Sequence, residues 1–101
     1  MIRHMVVFKL HHAKKSIAEQ NFLLATQKLA AIPGVTKFEI LKQASQKNTF
    51  DFGISMVFLS AREYETYNQH RDHQIFIEQF WKKGVSNFLE IDLSPLPATA
   101  E

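Results

Sequence analysis

No cysteine occurs in the chain, which excludes a disulfide scaffold and a thiol nucleophile and leaves His and carboxylates as the ligands for any zinc site. Glycine is scarce, with 3 in 101 residues, and no glycine-rich phosphate loop can be built from them. Charge of one sign is lacking too. Lys and Arg number 12 against 10 Asp and Glu, interleaved along the chain, so the net +2 does not indicate nucleic acid. No apolar run approaches the ~18 residues that suggest a membrane span. Met1, Ile2, Arg3 and His4 lead into a strand-like run interrupted by Lys9, without the apolar stretch and small-residue cleavage site of a signal peptide. The expectation is a soluble, cytoplasmic protein with no membrane or nucleic-acid partner.

What is present is an ordinary globular balance, 46% hydrophobic and 22% charged. The length suits one core, expected over residues 1–93 with 94–101 as a tail. So short a chain hides only part of its surface, and an interface with a second copy would add stability.

In Ile2–Leu10, Ile2, His4, Val6, Phe8 and Leu10 alternate with Arg3, Met5, Val7 and Lys9, the pattern of a strand. Ser16 and Glu19 form a capping box, and Phe22, Ala25, Leu29 and Ile32 recur at helical spacing, predicting a helix over Ile17–Ala31 that Pro33 and Gly34 stop. Val35–Lys42 reads as a second strand and polar Gln43–Thr49 as a hairpin loop. Phe52–Leu59 is the third strand, with Phe52, Ile54, Met56 and Phe58 on one face and Gly53, Ser55, Val57 and Leu59 on the other. Ser60 and Glu63 open a short helix through Tyr64 and Tyr67. A break follows around His70, with Asp72 as N-cap of a further helix ending near Lys83 and Gly84 as its stop. Val85–Leu93 is the fourth strand, before a tail with Pro95 and Pro97.

The order β-α-β-β-α-β is the ferredoxin-like α+β arrangement, an antiparallel sheet with helices on one face. Met5, Val7, Val57 and Leu59 then lie on the face the helices leave open. Apolar area on that scale marks an interface, and two sheets facing each other across a two-fold axis would bury it. A homodimer is expected.

Taken in order, these segments resemble the stress-responsive A/B barrel (Dabb) family. The resemblance rests on the opening Ile2–Leu10 strand with its early His and Phe-Lys ending, on the Ile32-Pro33-Gly34-Val35 turn, on Phe52–Phe58, and on Tyr67-Asn68-Gln69-His70-Arg71-Asp72-His73 for the family's Tyr-x-x-His-Pro-x-His segment. It implies a dimeric α+β barrel. It also implies a possible activity, because a plant polyketide (olivetolic acid) cyclase of this kind closes a poly-β-keto thioester by aldol condensation without cofactor. Its Tyr-His pair falls on Tyr67 and His73, and its strand-one His on His4. Its second strand histidine falls on Phe52, and Arg71 replaces the usual proline, departures that alter the pocket wall and so the substrate.

The residues themselves permit this chemistry. His73 shares a helical stripe with Phe76, Ile77 and Phe80, which turns it inward, and a partly buried neutral His can act as a general base for enolisation. Tyr67 is placed to donate to a developing enolate. The blander readings are a capping or core His and a merely packed Tyr. His4, Phe52, Ile54, Tyr67, His73 and Phe76 are expected to line one cavity for a small apolar carbonyl or aromatic compound. His70 and His73 with Asp72 could suggest a metal, with Asp51 or Glu78 contributing, but the spacing is common and no third ligand is identifiable, so no metal and no cofactor are expected. His11 and His12 are expected in solvent. Three functions follow: a cofactor-free cyclase or lyase, a non-catalytic small-molecule-binding or stress-protection dimer, and a cofactor-independent monooxygenase.

Overall fold

A computed structural model describes residues 1–97 of the chain. Its strands are β1 (Ile2–Leu10), β2 (Thr36–Lys42), β3 (Phe52–Phe58) and β4 (Val85–Leu93), in one antiparallel sheet ordered β2-β3-β1-β4. Between β1 and β2 lies α1 (Ile17–Gln27), tightened over Lys28–Ala31 into a 3-10 turn. Between β3 and β4 lie α2 (Ala61–Gln69) and α3 (Arg71–Phe76), the latter running on through a π-helical turn, Ile77–Trp81, into the short α4 (Lys82–Gly84). This is the expected ferredoxin-like α+β fold. No helix of the described residues is long and apolar enough to cross a membrane. Of the expected tail, residues 98–101 lie outside the described residues.

Local chemistry starts each helix. Ser16 Oγ accepts from the Glu19 N–H at 3.1 Å, and Glu19 Oε1 reaches back to accept from the Lys15 N–H at 3.1 Å. Ser60 Oγ accepts from the Glu63 N–H at 3.3 Å. The third cap differs from expectation. His70, not Asp72, is extended, and its Nδ1 accepts from the Asp72 N–H at 3.1 Å, so the imidazole does the work assigned to the aspartate. Gly34 turns the chain at φ +93°. Gly84 does not stop a helix in that way: it is the last residue of α4, and a Cβ there would stand 3.0 Å from His12 Nε2 and 3.1 Å from Phe22 Cδ2. It is glycine for closeness of approach.

The core lies between the sheet and the helices. Phe8, Met56 and Phe58 rise from the sheet to meet Phe22, Leu29, Tyr67 and Phe76 from the helices. A fully buried side chain of this kind contributes about 1.5–3 kcal/mol. The π turn brings Phe80 and Trp81 back onto Phe76, with ring centroids 6.1 and 6.2 Å away.

The opposite face of the sheet is uncovered. The register sets out three rows across it: Leu41, Gly53, Val7 and Leu89; Glu39, Ser55, Met5 and Ile91; Thr36, Val57, Arg3 and Leu93. Of the residues expected on this face, Met5 and Val7 are half-buried, while Val57 is already buried by its sheet neighbours, 5% exposed. Leu59 lies past the end of β3, which stops at Phe58, and is 69% exposed. The most exposed apolar residues of the three rows are Leu41, Leu89, Ile91 and Leu93.

Candidate functional site

The helices sit over β1 and β3 and leave the helix-side face of β4 open. That face carries Phe88, Glu90 and Asp92, which the register places beside Phe8, Val6 and His4. A polar cluster gathers there, between α2 and α3 on one side and β1 and β4 on the other.

His4 lies at its base, 5% exposed. Its Nδ1 is 2.7 Å from Asp92 Oδ1 and 2.8 Å from the Tyr64 hydroxyl. The Tyr64 O–H donates to the same carboxylate, at 2.9 Å from Oδ2. Since Asp92 can only accept, His4 donates from Nδ1 and turns Nε2 toward Glu90, whose Oε2 is 3.9 Å away. Burial, the hydrogen bond to Asp92 and the charges of Asp92 and Glu90 raise the Tyr64 pKa well above the ordinary phenol value.

Tyr67 and His73 form the second half of the cluster. Their ring centroids are 4.5 Å apart, and Tyr67 is 6.3 Å from His4 by the same measure. His73 Nδ1 stands 3.2 Å from the Asn68 carbonyl oxygen, which can only accept, so Nδ1 carries the proton and Nε2 of the neutral ring keeps its lone pair. Desolvation lowers the His73 pKa below the ordinary 6.5; the Asn68 hydrogen bond partly opposes this, and charge on His4 adds to it. Tyr67 is 2% exposed, and burial, then the charge of Glu90, raises its pKa. Both phenols are therefore protonated donors at neutral pH.

His4, Tyr67 and His73 thus come together; Phe52, Ile54 and Phe76 do not join them. The β3 residue beside His4 is Met56, and Phe52 pairs with Phe8 at the far end of the strand. Ile54 is paired with Val6 in the core. Phe76 packs on Phe22 and borders a groove of about 440 Å³ between α1 and α3. The expected lining residues thus divide between a polar cluster at one end of the sheet, with His4, Tyr67 and His73, and the aromatic core in its middle, with Phe52, Ile54 and Phe76. The reason is the length of β3: Phe52 and Met56 are four positions apart along it, so same-face membership does not bring them together.

Tyr64, Glu90 and Asp92 are not among the site residues expected from the sequence, where Tyr64 enters only as a helix residue. The alternation Phe88, Glu90, Asp92 against Leu89, Ile91, Leu93 carries the signal, two acids among apolar residues on the face shared with His4. Among the described residues no group of three or more His, Asp and Glu is placed to hold a metal ion. His70 is engaged in its cap and His73 with the Asn68 carbonyl.

Comparison with known proteins places this geometry in context. No curated protein matches the chain. Among solved structures, a Dabb-family protein with a ferredoxin-like fold from Mesorhizobium loti is 49% identical, covers 94% of this chain and 96% of its own, and superposes with a TM-score of 0.92. A dimeric ferredoxin-like protein of unknown function from Thermobifida fusca shares the fold at 18% identity, with a TM-score of 0.76 and coverage of 93% and 90%. So does a hydroxynitrile lyase from Passiflora edulis, at 11% identity, TM-score 0.82 and coverage of 96% and 94%. The family model of the stress-responsive A/B barrel domain matches residues 2–95, and the chain belongs to that family.

Proposed function

We propose that this protein is a homodimer that performs cofactor-free base chemistry on a small apolar carbonyl compound, making or breaking a carbon–carbon bond through an enolate. The observation that carries the reading is His73: its Nδ1 proton is committed to Asn68, its Nε2 is kept unprotonated by burial, and its ring lies against a phenol held protonated.

The step follows from those roles. Nε2 of His73 takes the proton from a C–H flanked by carbonyls, and the electron pair of that bond moves into the carbonyl to give an enolate. The Tyr67 hydroxyl donates to the oxygen on which charge develops. In the forming direction the enolate carbon attacks a second carbonyl, and the proton on His73 is delivered to the resulting alkoxide. In the cleaving direction the same transfers run backwards. A polyketide-cyclase-like ring closure and a retro-aldol cleavage are thus one chemistry read two ways. Asp92 and Tyr64 hold the His4 ring in place beside Tyr67, with its Nε2 turned toward Glu90. The dimer is supported by the open apolar sheet face and by the dimeric Thermobifida fusca protein of the same fold.

The test needs no knowledge of the natural substrate. Pentane-2,4-dione carries an acidic C–H between two carbonyls, and its exchange with deuterated water can be followed by NMR. The protein is expected to accelerate exchange, His73→Ala to lower the catalysed rate by roughly 10²-fold, and Tyr67→Phe to lower it with the fold intact. Exchange unchanged in His73→Ala would remove the base assignment. Saturable binding of diketones without any exchange would support a binding protein instead.

A further inference from the structure

At the other end of the sheet, away from the His73 cluster, the loop after β1, the start of α1 and the β2–β3 loop enclose a cleft of about 820 Å³. Four lysines line it: Lys9 from the end of β1, Lys14 and Lys15 from the following loop, and, remote in sequence, Lys42 from the end of β2. The interleaving of charge along the chain conceals this; folding gathers it.

The two acids of the same cleft offset only part of this charge and pair with none of the four lysines. Asp51 Oδ2 accepts from the Leu10 N–H at 3.0 Å, and Glu19 Oε1 from the Lys15 N–H, so both are engaged with backbone. Among the described residues none of the four ammonium groups forms an ion pair; the lysine that does, Lys82 with Glu78, lies elsewhere. Four cations against two engaged carboxylates leave the cleft positive, with the field focused by its walls. One wall is pre-built. Gln43 Nε2 donates to the Phe50 carbonyl at 2.9 Å and the Phe50 N–H to Asn48 Oδ1 at 3.0 Å, which fix the β2–β3 loop. Most of the remaining lining is polar, but it includes two aromatic rings: Phe50 and Phe52 are half-buried, and Phe52 rests on Phe8 with ring centroids 6.0 Å apart. The volume is that of a small-molecule site.

We propose that this cleft binds a phosphorylated small molecule with a flat apolar group, its phosphates held by Lys9, Lys14, Lys15 and Lys42 and its flat part lying on Phe50 and Phe52. Lysine suits the role as a mobile point charge that holds phosphate without fixing its orientation. The acidic end of the molecule, with Glu90 and Asp92, would repel the same ligand, so the two sites are open to different compounds. This reading stands independently of the enolate chemistry.

The experiment is titration of the full chain with ADP, pyrophosphate and adenosine, by calorimetry and by amide NMR shifts. ADP is expected to bind saturably and more tightly than either fragment, to move amides around residues 9–15 and 42–52, and to weaken as salt is added. Lys14→Glu combined with Lys42→Glu should weaken ADP by roughly tenfold or more, as loss of charge-assisted contacts requires, with an unchanged far-ultraviolet circular dichroism spectrum. No saturable ADP binding, or shifts centred on His73, overturns the site. Pyrophosphate binding as tightly as ADP overturns the role of Phe50 and Phe52. A short single-stranded RNA that binds more tightly than ADP and moves amides well beyond the cleft overturns the small-molecule reading.

Discussion

His73 owes its chemistry to neighbours that a sequence pattern reaches only in part. Its helical stripe turns it inward, but the Asn68 carbonyl that fixes its tautomer sits beyond a helix break and becomes adjacent only because His70 is extended. The consequence is measurable by pH. Burial places the folded-state midpoint of His73 below the ordinary 6.5. Between that lowered midpoint and 6.5 the unfolded chain binds more protons than the folded one, so stability from this residue rises with pH through the window and is retained above it; acidification through the folded midpoint removes it. Base-catalysed exchange should fall along the same acid limb. An NMR titration of the imidazole resonances is expected to give His73 a midpoint below 6.5, and a midpoint at or above that value would show that the ring is not a desolvated base. Tyr67 was legible as a buried phenol, whereas Glu90, whose charge helps keep it protonated, comes from a strand remote in sequence.

Among the elements, those with their own signals emerged from the sequence. The capping serines at 16 and 60 start helices where expected, and alternation alone gives β1. What escaped was set by contacts between elements. The π turn of Ile77–Trp81 has no local signature and arises where three aromatic residues must meet one core; the predicted helix ran through it unbroken. Phe52 shares a strand face with Met56, and only the pairing of β3 with β1 shows which of them stands beside His4. Gly84 reads from sequence as a helix stop, yet its role is to admit His12 and the buried Phe22 ring to the backbone at the end of α4. Its carbonyl also accepts from the His11 N–H at 2.8 Å, so that stretch cannot easily back away. Gly84→Ala is therefore expected to cost about 1–3 kcal/mol through overpacking, visible in a thermal melt as a fall of roughly 4–8 °C per kcal/mol for a domain of this size. A melting temperature equal to wild type would show that the His12 and Phe22 contacts yield freely. His12→Ala alone should leave most of the stability in place, because the imidazole is half-exposed and the Phe22 contact is the rigid one.

For the molecule as a whole, the helices cover one side of the sheet and leave the other open, with Leu41, Leu89, Ile91 and Leu93 exposed on it, the kind of surface that marks an interface. The row Leu41, Gly53, Val7 and Leu89 runs across all four strands, with Val7 leaning over the buried Gly53. Leu89 and Leu93 are each 50% exposed on β4, at the edge of the same surface. A two-fold pairing of these faces buries them all at once and meets the need of a short chain for additional core. The structure also decides which residue tests this. Val57 lies inside the protomer's own sheet packing, so a charge there would damage the monomer and leave the result ambiguous. Leu89 is free to carry a charge in a single protomer, but in the proposed dimer an unpaired carboxylate at that position costs several kcal/mol. Wild type is accordingly expected to sediment as a dimer at micromolar concentration, and Leu89→Asp as a folded monomer with unchanged helix and strand content. A wild-type monomer at that concentration, or a Leu89→Asp protein that stays dimeric, would show that the open face is not where two copies meet. Separation of the dimer also bears on the chemistry: the His73 cluster is built within one protomer from β1, β4, α2 and α3, so a folded Leu89→Asp monomer should retain diketone exchange, and its loss would place part of the site in the second copy.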